Sequence, residues 1–537
     1  MRFASVVQQE AAWVSRWSRL RKDALRLREL STRIDLDEFS ASDVTPHGES
    51  DTEKDEPWKT LLSMPARCAW RVSGSPDAVN ESIGKIMERS ARTRKQLRRT
   101  HESVMDHHAS LAMKKDQERR RVLLGGKERD WEKRKREDIH PVLYGTNECF
   151  SDFYFRVVPH YAVVRRILQE STSLLGRANF KPRRVIDFGV GCGSASAAAL
   201  DQFGDSIQWV HGIDPSQVMR EAAAEFLNSM PQQTDSITGS TLRTTFSTHL
   251  ALDSDASQFD LALFAYTAME LPDTGSSLAA AALLWEKLQP GGLFVMVEPG
   301  TPMGFLAIRT VRSMLIDATA ENADIECNIV APCTHSQKCP MDNFDLDNKV
   351  FKRKKIRDKH DEDEKETSTA RAGFCSFGHT LPSAGGKKEK FSYIVAQKRR
   401  RGDEDTHDFL NDSLPTLLQQ TTLAEGSGEE DREGEHGADA LLQKAVDLER
   451  RFLDSDDDPL GLELIRGKDN RAKFGRVIHA PKKRKGHIFI DTCVSPGALT
   501  RVTVTKSMSK TLPGIYSAAK RSRWGGLWPH VQGDEEL

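Results

Sequence analysis

The sequence predicts an α/β fold built on a doubly wound, Rossmann-like sheet, and three observations predict it. Short apolar runs alternate with amphipathic helical stretches between residues 184 and 297. A glycine-rich turn, Asp187-Phe188-Gly189-Val190-Gly191-Cys192-Gly193, directly follows the first run, and Asp214 closes the second. Strands alternating with helices imply a parallel sheet covered on both faces. Glycines at the end of the first strand let the backbone approach a nucleoside, and a carboxylate at the end of the second can accept bonds from ribose hydroxyls.

The elements follow in order. Tyr161 to Leu168 reads as an amphipathic helix, so the core begins near residue 150. Pro182 and the apolar pair Val185-Ile186 open a buried strand at 184 to 188, followed by a helix from about Ser194, a strand at 208 to 213 and a helix from Ser216. A strand at 259 to 265, a helix from Ser276 and a strand at 292 to 297 complete the pattern. The G-x-G-x-G spacing fits the class I methyltransferase form better than the G-x-G-x-x-G of NAD and FAD proteins. Asp187, Gly189, Gly191, Gly193 and Asp214 are therefore expected to hold S-adenosylmethionine. Phe391 to Ala396, Gly486 to Asp491 and Leu499 to Thr505 alternate β-branched and aromatic residues, and are expected to complete the sheet or form a small β extension.

Around this core the chain divides by composition. Residues 1–150 form a helical, basic region whose first thirty or so residues, with Arg2, Arg16, Arg19, Arg21, Arg26 and Arg28, have the style of a mitochondrial presequence. From about Asn80 to Asp138 the pattern is that of an extended basic helical arm, with Met87, Leu97, Met105 and Leu111 too loosely spaced for a deep core. Residues 151–330 are the Rossmann-like core, 331–400 a cysteine-bearing insertion and strand, and 401–470 an acidic linker expected to be largely disordered. Residues 471–537 are C-terminal strands and a basic tail, expected to complete the sheet and a metal lobe.

Charge and cysteine usage exclude several classes. The 78 basic and 79 acidic residues nearly balance, but the bases cluster at 95–99, 114–121, 133–136, 352–357, 398–401 and 482–485, a distribution that suits a nucleic-acid surface. No run of about eighteen apolar residues occurs, so no membrane span is expected. Eight cysteines in 537 residues are too few for a secreted disulfide scaffold.

Chemistry is less legible. Past the strand at 259–265 the chain reads Ala265-Tyr-Thr-Ala-Met-Glu-Leu-Pro272, with no Asn/Asp-Pro-Pro-aromatic motif and no nucleophilic cysteine, so no catalytic residue is named. Cys333, Cys339, Cys375 and Cys493 flank expected strands, and four such thiols suit a [4Fe-4S] cluster or a tetrahedral zinc, with His335 a further zinc ligand candidate. No pair is C-x-x-C, which leaves iron-sulfur, zinc and unpaired structural thiols all open. Cys68, Cys149, Cys192 and Cys327 read as packing thiols.

Several separated motifs, in this order, resemble the methyltransferase-like assembly factors of the mitochondrial small ribosomal subunit. They are Tyr161-Ala-Val-Val-Arg, the glycine turn, Val297-Glu-Pro-Gly-Thr-Pro302, Ala331-Pro-Cys333 with Cys339, Cys375-Ser-Phe377, Lys390-Phe-Ser-Tyr393 and Arg523-Trp-Gly-Gly-Leu-Trp-Pro529. The resemblance implies a [4Fe-4S] cluster on Cys333, Cys339, Cys375 and Cys493, binding to small-subunit ribosomal RNA and ribosomal proteins in the mitochondrial matrix, and little or no methyl transfer. An active S-adenosylmethionine-dependent rRNA methyltransferase is the alternative. In that family the cysteines matching Cys339 and Cys375 lie close together, whereas an insertion separates them here. Pro481 to Lys485 reads as an RNA-phosphate contact ahead of a nuclear localisation signal, the feature behind a third reading as a zinc-stabilised nuclear RNA-binding protein.

Overall fold

Two sheets organise the described residues, one mixed and one antiparallel. The computed structural model describes residues 77–123, 141–175, 180–204, 206–230, 242–250, 259–320, 322–343, 374–381, 388–402, 474–495, 497–510 and 515–529. The presequence-like segment, Cys68, the basic runs at 133–136 and 352–357 and almost all of the acidic linker lie outside them.

The larger sheet contains β1 (Arg184–Phe188), β2 (Trp209–Ile213), β3 (Arg243–Ser247), β4 (Phe259–Ala265), β5 (Leu288–Pro299), β6 (Ile325–Ala331), β7 (Phe377–Thr380) and β8 (Lys388–Arg400). Its order is β3-β2-β1-β4-β5-β8-β6, with β7 also paired to β8. The strands between residues 184 and 297 are parallel as expected, and the strand expected at 391–396 joins the sheet as β8, which runs antiparallel to β5 and β6. It is the second arm of a hairpin with β7, and a hairpin return is antiparallel. A parallel sheet whose order reverses between β1 and β4, with one antiparallel strand inserted beside β5, is the class I methyltransferase topology.

Helices cover both faces, as buried strands require. On one side Val185, Leu261, Leu293, Val295 and Val395 pack under α4 (Val157–Leu175) and α5 (Ser194–Phe203). On the other, Ile186, Ala262, Phe264, Phe294 and Ile394 pack under α7 (Thr274–Lys287) and α8 (Pro302–Ala320). α3 (Thr146–Phe155) and α6 (Gln217–Ser229) belong to the first layer through Phe153, Phe226 and Leu227, and α6 is capped by Ser216, whose hydroxyl accepts from the Met219 N–H at 3.3 Å. Two residues of the basic run at 398–401 cap helices: Lys398 Nζ donates to the Trp285 and Leu288 carbonyls at the end of α7, and Arg401 donates to the Thr319 and Ala320 carbonyls ending α8.

The upstream helices α1 (Asp77–Glu88) and α2 (Arg94–Leu123) correct an expectation. Rather than an extended arm, α2 packs against the core through Leu97, Val104, Leu111 and Lys115, the last only 5% exposed. Steps of seven and four residues keep these positions on one helix face. The Leu97 carbonyl accepts from Ser151 Oγ, and His101 stacks on Phe155 at 4.6 Å.

Residues 471–537 do not complete the main sheet; of the two outcomes expected for their strands they take the other, a separate β extension, built from β9 (Phe474–Val477), β10 (Lys482–Arg484), β11 (His487–Val494), β12 (Ala498–Thr505) and β13 (Leu527–Pro529). The main-sheet position beside β5 is already taken by β8. One face of the second sheet closes on α9 (Ile515–Arg521) through Ile488, Ile490, Val504, Ile515 and Ala518.

Candidate functional site

In open α/β sheets the ligand crevice lies beyond the carboxyl ends of the strands where the order reverses, here between β1 and β4. The glycine turn sits there, with Gly189, Gly191 and Gly193 all at positive φ. A Cβ on Gly189 would stand 2.1 Å from Thr267 Oγ1, so the turn and the β4 end are in direct contact. On Gly191 a Cβ would meet nothing nearer than 4.0 Å, which leaves that side of the turn open for a ligand.

Asp187 is buried, and its Oδ2 accepts from Ser196 Oγ at 2.6 Å while Oδ1 has no hydrogen-bond partner among the described residues. Burial pushes its carboxyl up to about 7. Asp214 accepts from the Gly191 N–H at 3.1 Å and the Ser216 N–H at 2.9 Å, and each oxygen retains a further lone pair. An orphaned carboxylate oxygen for an ammonium group, an open glycine turn and an acceptor pair for a ribose together fit S-adenosylmethionine.

The loop after β4 is held by buried polar groups from several elements. Lys115, from α2, donates to the Ala268 carbonyl at 2.7 Å and the Met269 carbonyl at 3.1 Å. Burial lowers its pKa, opposed by the nearby carboxylates of Glu298, Asp273 and Glu270. At the end of β5, Glu298 accepts from the Ala268 N–H at 2.7 Å, has no hydrogen-bond partner for Oε2 among the described residues, and is pushed up to about 8 by burial. Tyr144 donates to Glu270 at 3.0 Å and meets His108 Nε2 at 3.2 Å. Burial first, and then the Arg156 guanidinium, holds His108 down to about 3, so the ring is neutral. Tyr266, at the β4 end, takes φ 57 and stacks on His160 with centroids 3.6 Å apart. A non-glycine residue in that region is strained and marks a site held by its surroundings. Sequence reasoning gave none of these groups a role, because they converge from α2, α4, the segment before α3 and the segments at the ends of β4 and β5.

The four candidate ligand cysteines are brought together. Cys333, Cys339, Cys375 and Cys493 line one cavity between α8, β8 and the second sheet, closed by Phe305, Met341 and Ile478. Burial pushes the Cys375 and Cys493 thiols well above their ordinary range, and the neighbouring cysteines push the same way. His335 Nε2 lies 3.4 Å from Cys493 Sγ. Among the described residues no three His, Cys, Asp or Glu side chains converge closely enough to hold a single metal ion. The thiols surround a cavity instead. Of the other cysteines, Cys192 is a packing residue, with Cys149 Sγ at 3.9 Å and Met219 Sδ at 3.5 Å.

Two arginines flank this cavity. Arg312 donates to the His335 and Gln337 carbonyls at 3.0 and 2.7 Å, fixing the loop between Cys333 and Cys339. Arg476 contacts Glu170 at 2.7 Å, with both side chains almost fully buried, and donates to the Pro332 carbonyl at 2.6 Å and the Gly525 carbonyl at 2.8 Å. Tyr393 donates to the other Glu170 oxygen at 2.5 Å. One buried hub thus ties α4, β8, the segment before Cys333 and the second sheet together.

The chain is 28% identical over 253 residues to the Rsm22-cox11 tandem protein 2, mitochondrial, of Schizosaccharomyces pombe, covering 46% of this chain and 26% of that protein. It is 26% identical over 281 residues to the ribosome assembly protein RSM22, mitochondrial, of Saccharomyces cerevisiae, covering 45% and 39%. To the human ribosome assembly protein METTL17, mitochondrial, it is 24% identical over 244 residues, covering 44% and 46%. The chain therefore spans less than half the length of each of these relatives. The family model described as mitochondrial small ribosomal subunit Rsm22 matches residues 151–405 and 460–529, more than half of the chain and both sheets, so the chain belongs to the Rsm22 family.

Proposed function

We propose that this mitochondrial protein is an assembly factor of the small ribosomal subunit, acting in the matrix as an rRNA-binding scaffold with a methyltransferase-like fold and little or no methyl transfer. The observation that supports the scaffold reading is the seat of Lys115 on the Ala268 and Met269 carbonyls, which ties the upstream helix α2 to the loop that packs on the glycine turn. Family membership supports the ribosomal assignment.

S-adenosylmethionine is proposed as a bound ligand of Asp187, Gly189, Gly191, Gly193 and Asp214, supported by the orphaned Asp187 oxygen and the open side of Gly191. A [4Fe-4S] cluster is proposed on Cys333, Cys339, Cys375 and Cys493. The donor set supports it: four thiols around a cavity, Cys339 and Cys493 buried and Cys333 and Cys375 partly so, fit a polynuclear group better than one ion, and the thiols whose pKa burial raises need a cationic centre to become ligands. When bound, the cluster would crosslink the β6 end, the segment before β7 and β11.

The test is purification of the tagged full chain from mitochondria of its own cell type. Enrichment of small-subunit rRNA and proteins is expected, and their absence overturns the assignment. An active rRNA methyltransferase is the second reading, favoured by the intact glycine turn. Methyl incorporation from labelled S-adenosylmethionine into assembling small-subunit RNA, lost in Gly191→Arg, would establish it.

A further inference from the structure

We propose that the face of the second sheet turned away from α9 is a platform for single-stranded RNA, with His487 and Phe489 as the stacking surface and the β10–β11 hairpin supplying the phosphate contacts. The proposal deepens the rRNA-binding reading and rests on it.

The register defines the face. Residues directly opposite each other in a ladder point to the same side. Phe489 lies opposite Lys482 and Thr503, and His487 opposite Arg484 and Thr505. Ile488, Ile490 and Val504 point the other way, into the α9 packing. The cationic and aromatic side chains are therefore interleaved on one surface. His487, Arg484, Lys482 and Thr503 are exposed, and Phe489 is partly exposed. The His487 and Phe489 rings lie nearly parallel, 12° apart with centroids at 6.5 Å, and so present two adjacent flat faces.

The charge around the rings is one-sided. Lys483, Lys485 and Lys506 are exposed at the rim. The acid on this face, Asp491, is neutralised by Arg501, whose Nε and Nη2 donate at 2.6 and 3.1 Å. A basic hairpin alone would bind any polyanion. Aromatic rings on a flat sheet add a preference, since unpaired bases can stack on them while a duplex hides its base faces. Farther along the same face Cys493 lies opposite Leu499 and Arg476 and closes onto the cysteine cavity. Four residues of strand separate Phe489 from Cys493, roughly 13 Å.

The experiment is fluorescence anisotropy of the full-length protein with a short labelled RNA, single-stranded and as its duplex. Single-strand binding is expected to be tighter, to weaken about tenfold or more in Phe489→Ala, and to survive in Phe489→Tyr, with duplex binding unchanged by either. Lys482→Gln with Arg484→Gln should lower the dependence of log Kd on log salt by about 0.7 for each phosphate no longer neutralised. Ultraviolet crosslinking of the unmodified protein should place the adduct in the peptide spanning residues 486–491, a readout independent of how the variants fold. Equal affinity for single strand and duplex with no effect of Phe489→Ala, or a crosslink elsewhere, overturns the proposal. Binding of a small-subunit protein in place of RNA at this hairpin also overturns it, in favour of protein docking. Failure of the tagged chain to enrich small-subunit rRNA would instead sink the assembly reading, and would leave the single-strand preference measured in vitro standing.

Discussion

Lys115 donates to the Ala268 carbonyl at 2.7 Å across 153 positions of sequence, joining a helix upstream of the core to the end of its fourth strand. The ammonium sits among Glu298, Glu270 and Asp273. Removing one partner of a buried charge cluster leaves the others uncompensated, at a cost of about 3–5 kcal/mol. Lys115→Ala should therefore loosen α2. Hydrogen exchange is expected to accelerate across residues 94–117 while β1, β4 and β5 stay protected. Unchanged protection would mean that Leu97, Val104 and Leu111 hold the helix alone.

Arg476 and Glu170 make the corresponding link for the second sheet. Arg476→Met should cost about 3–5 kcal/mol in denaturant unfolding, because it takes the ion-pair partner from the buried Glu170 carboxylate. Glu170→Gln in the same chain should recover part of that loss, so the double variant falls short of the sum of the singles. Additive losses would show that the two groups act separately.

The Glu298 carboxyl gives stability a pH dependence. Its folded pKa, about 8, is raised above the ordinary carboxylate value by burial, so the folded state binds more protons than the unfolded state between roughly pH 4.5 and 8. This contribution is complete below the lower limit and is lost as pH rises through the upper one. Glu298→Gln keeps an acceptor for the Ala268 N–H and removes the titration. The variant should lose less thermal stability than the parent between pH 5 and pH 8. Parallel profiles would show that another group is responsible.

The glycine turn separates two costs. Gly191→Ala meets open space and should cost only the left-handed backbone penalty, about 1–2 kcal/mol. Gly189→Ala adds a clash with the Thr267 side chain and should cost more, with part recovered by Thr267→Gly. Thermal melts of the three variants decide it. Equal losses at the two glycines would show that the Thr267 packing is not tight.

Local signals made the core legible. Val185-Ile186 before three glycines, and the apolar run at 259–265, need no tertiary information to read as strand, turn and strand. The stripe on α2 was hidden because positions between Leu97, Val104 and Leu111 are taken by His101 and His108, and the next by Lys115. These groups are paired in the fold but read as polar in the sequence. The direction of β8 was not legible because it depends on the hairpin with β7, which lies beyond a long insertion. The four cysteines were identifiable as donors, but their shared cavity depends on how the second sheet docks through Arg476.

The proposed cluster predicts a loss on metal removal. Anaerobically purified protein should carry about four irons and a broad visible absorption band. Chelation after oxidation, or Cys333→Ser with Cys339→Ser, should abolish both and lower the unfolding midpoint, since the cluster crosslinks separate segments. A colourless protein containing zinc would replace the cluster with a zinc site.

The most direct test of the central claim is sedimentation of mitochondrial ribosomes from cells of the source organism depleted of this protein. The account predicts loss of mature small subunits with the large subunit retained, reversed by the wild-type chain and by a Gly191→Arg chain that no longer holds S-adenosylmethionine. An unchanged small-subunit profile would contradict it.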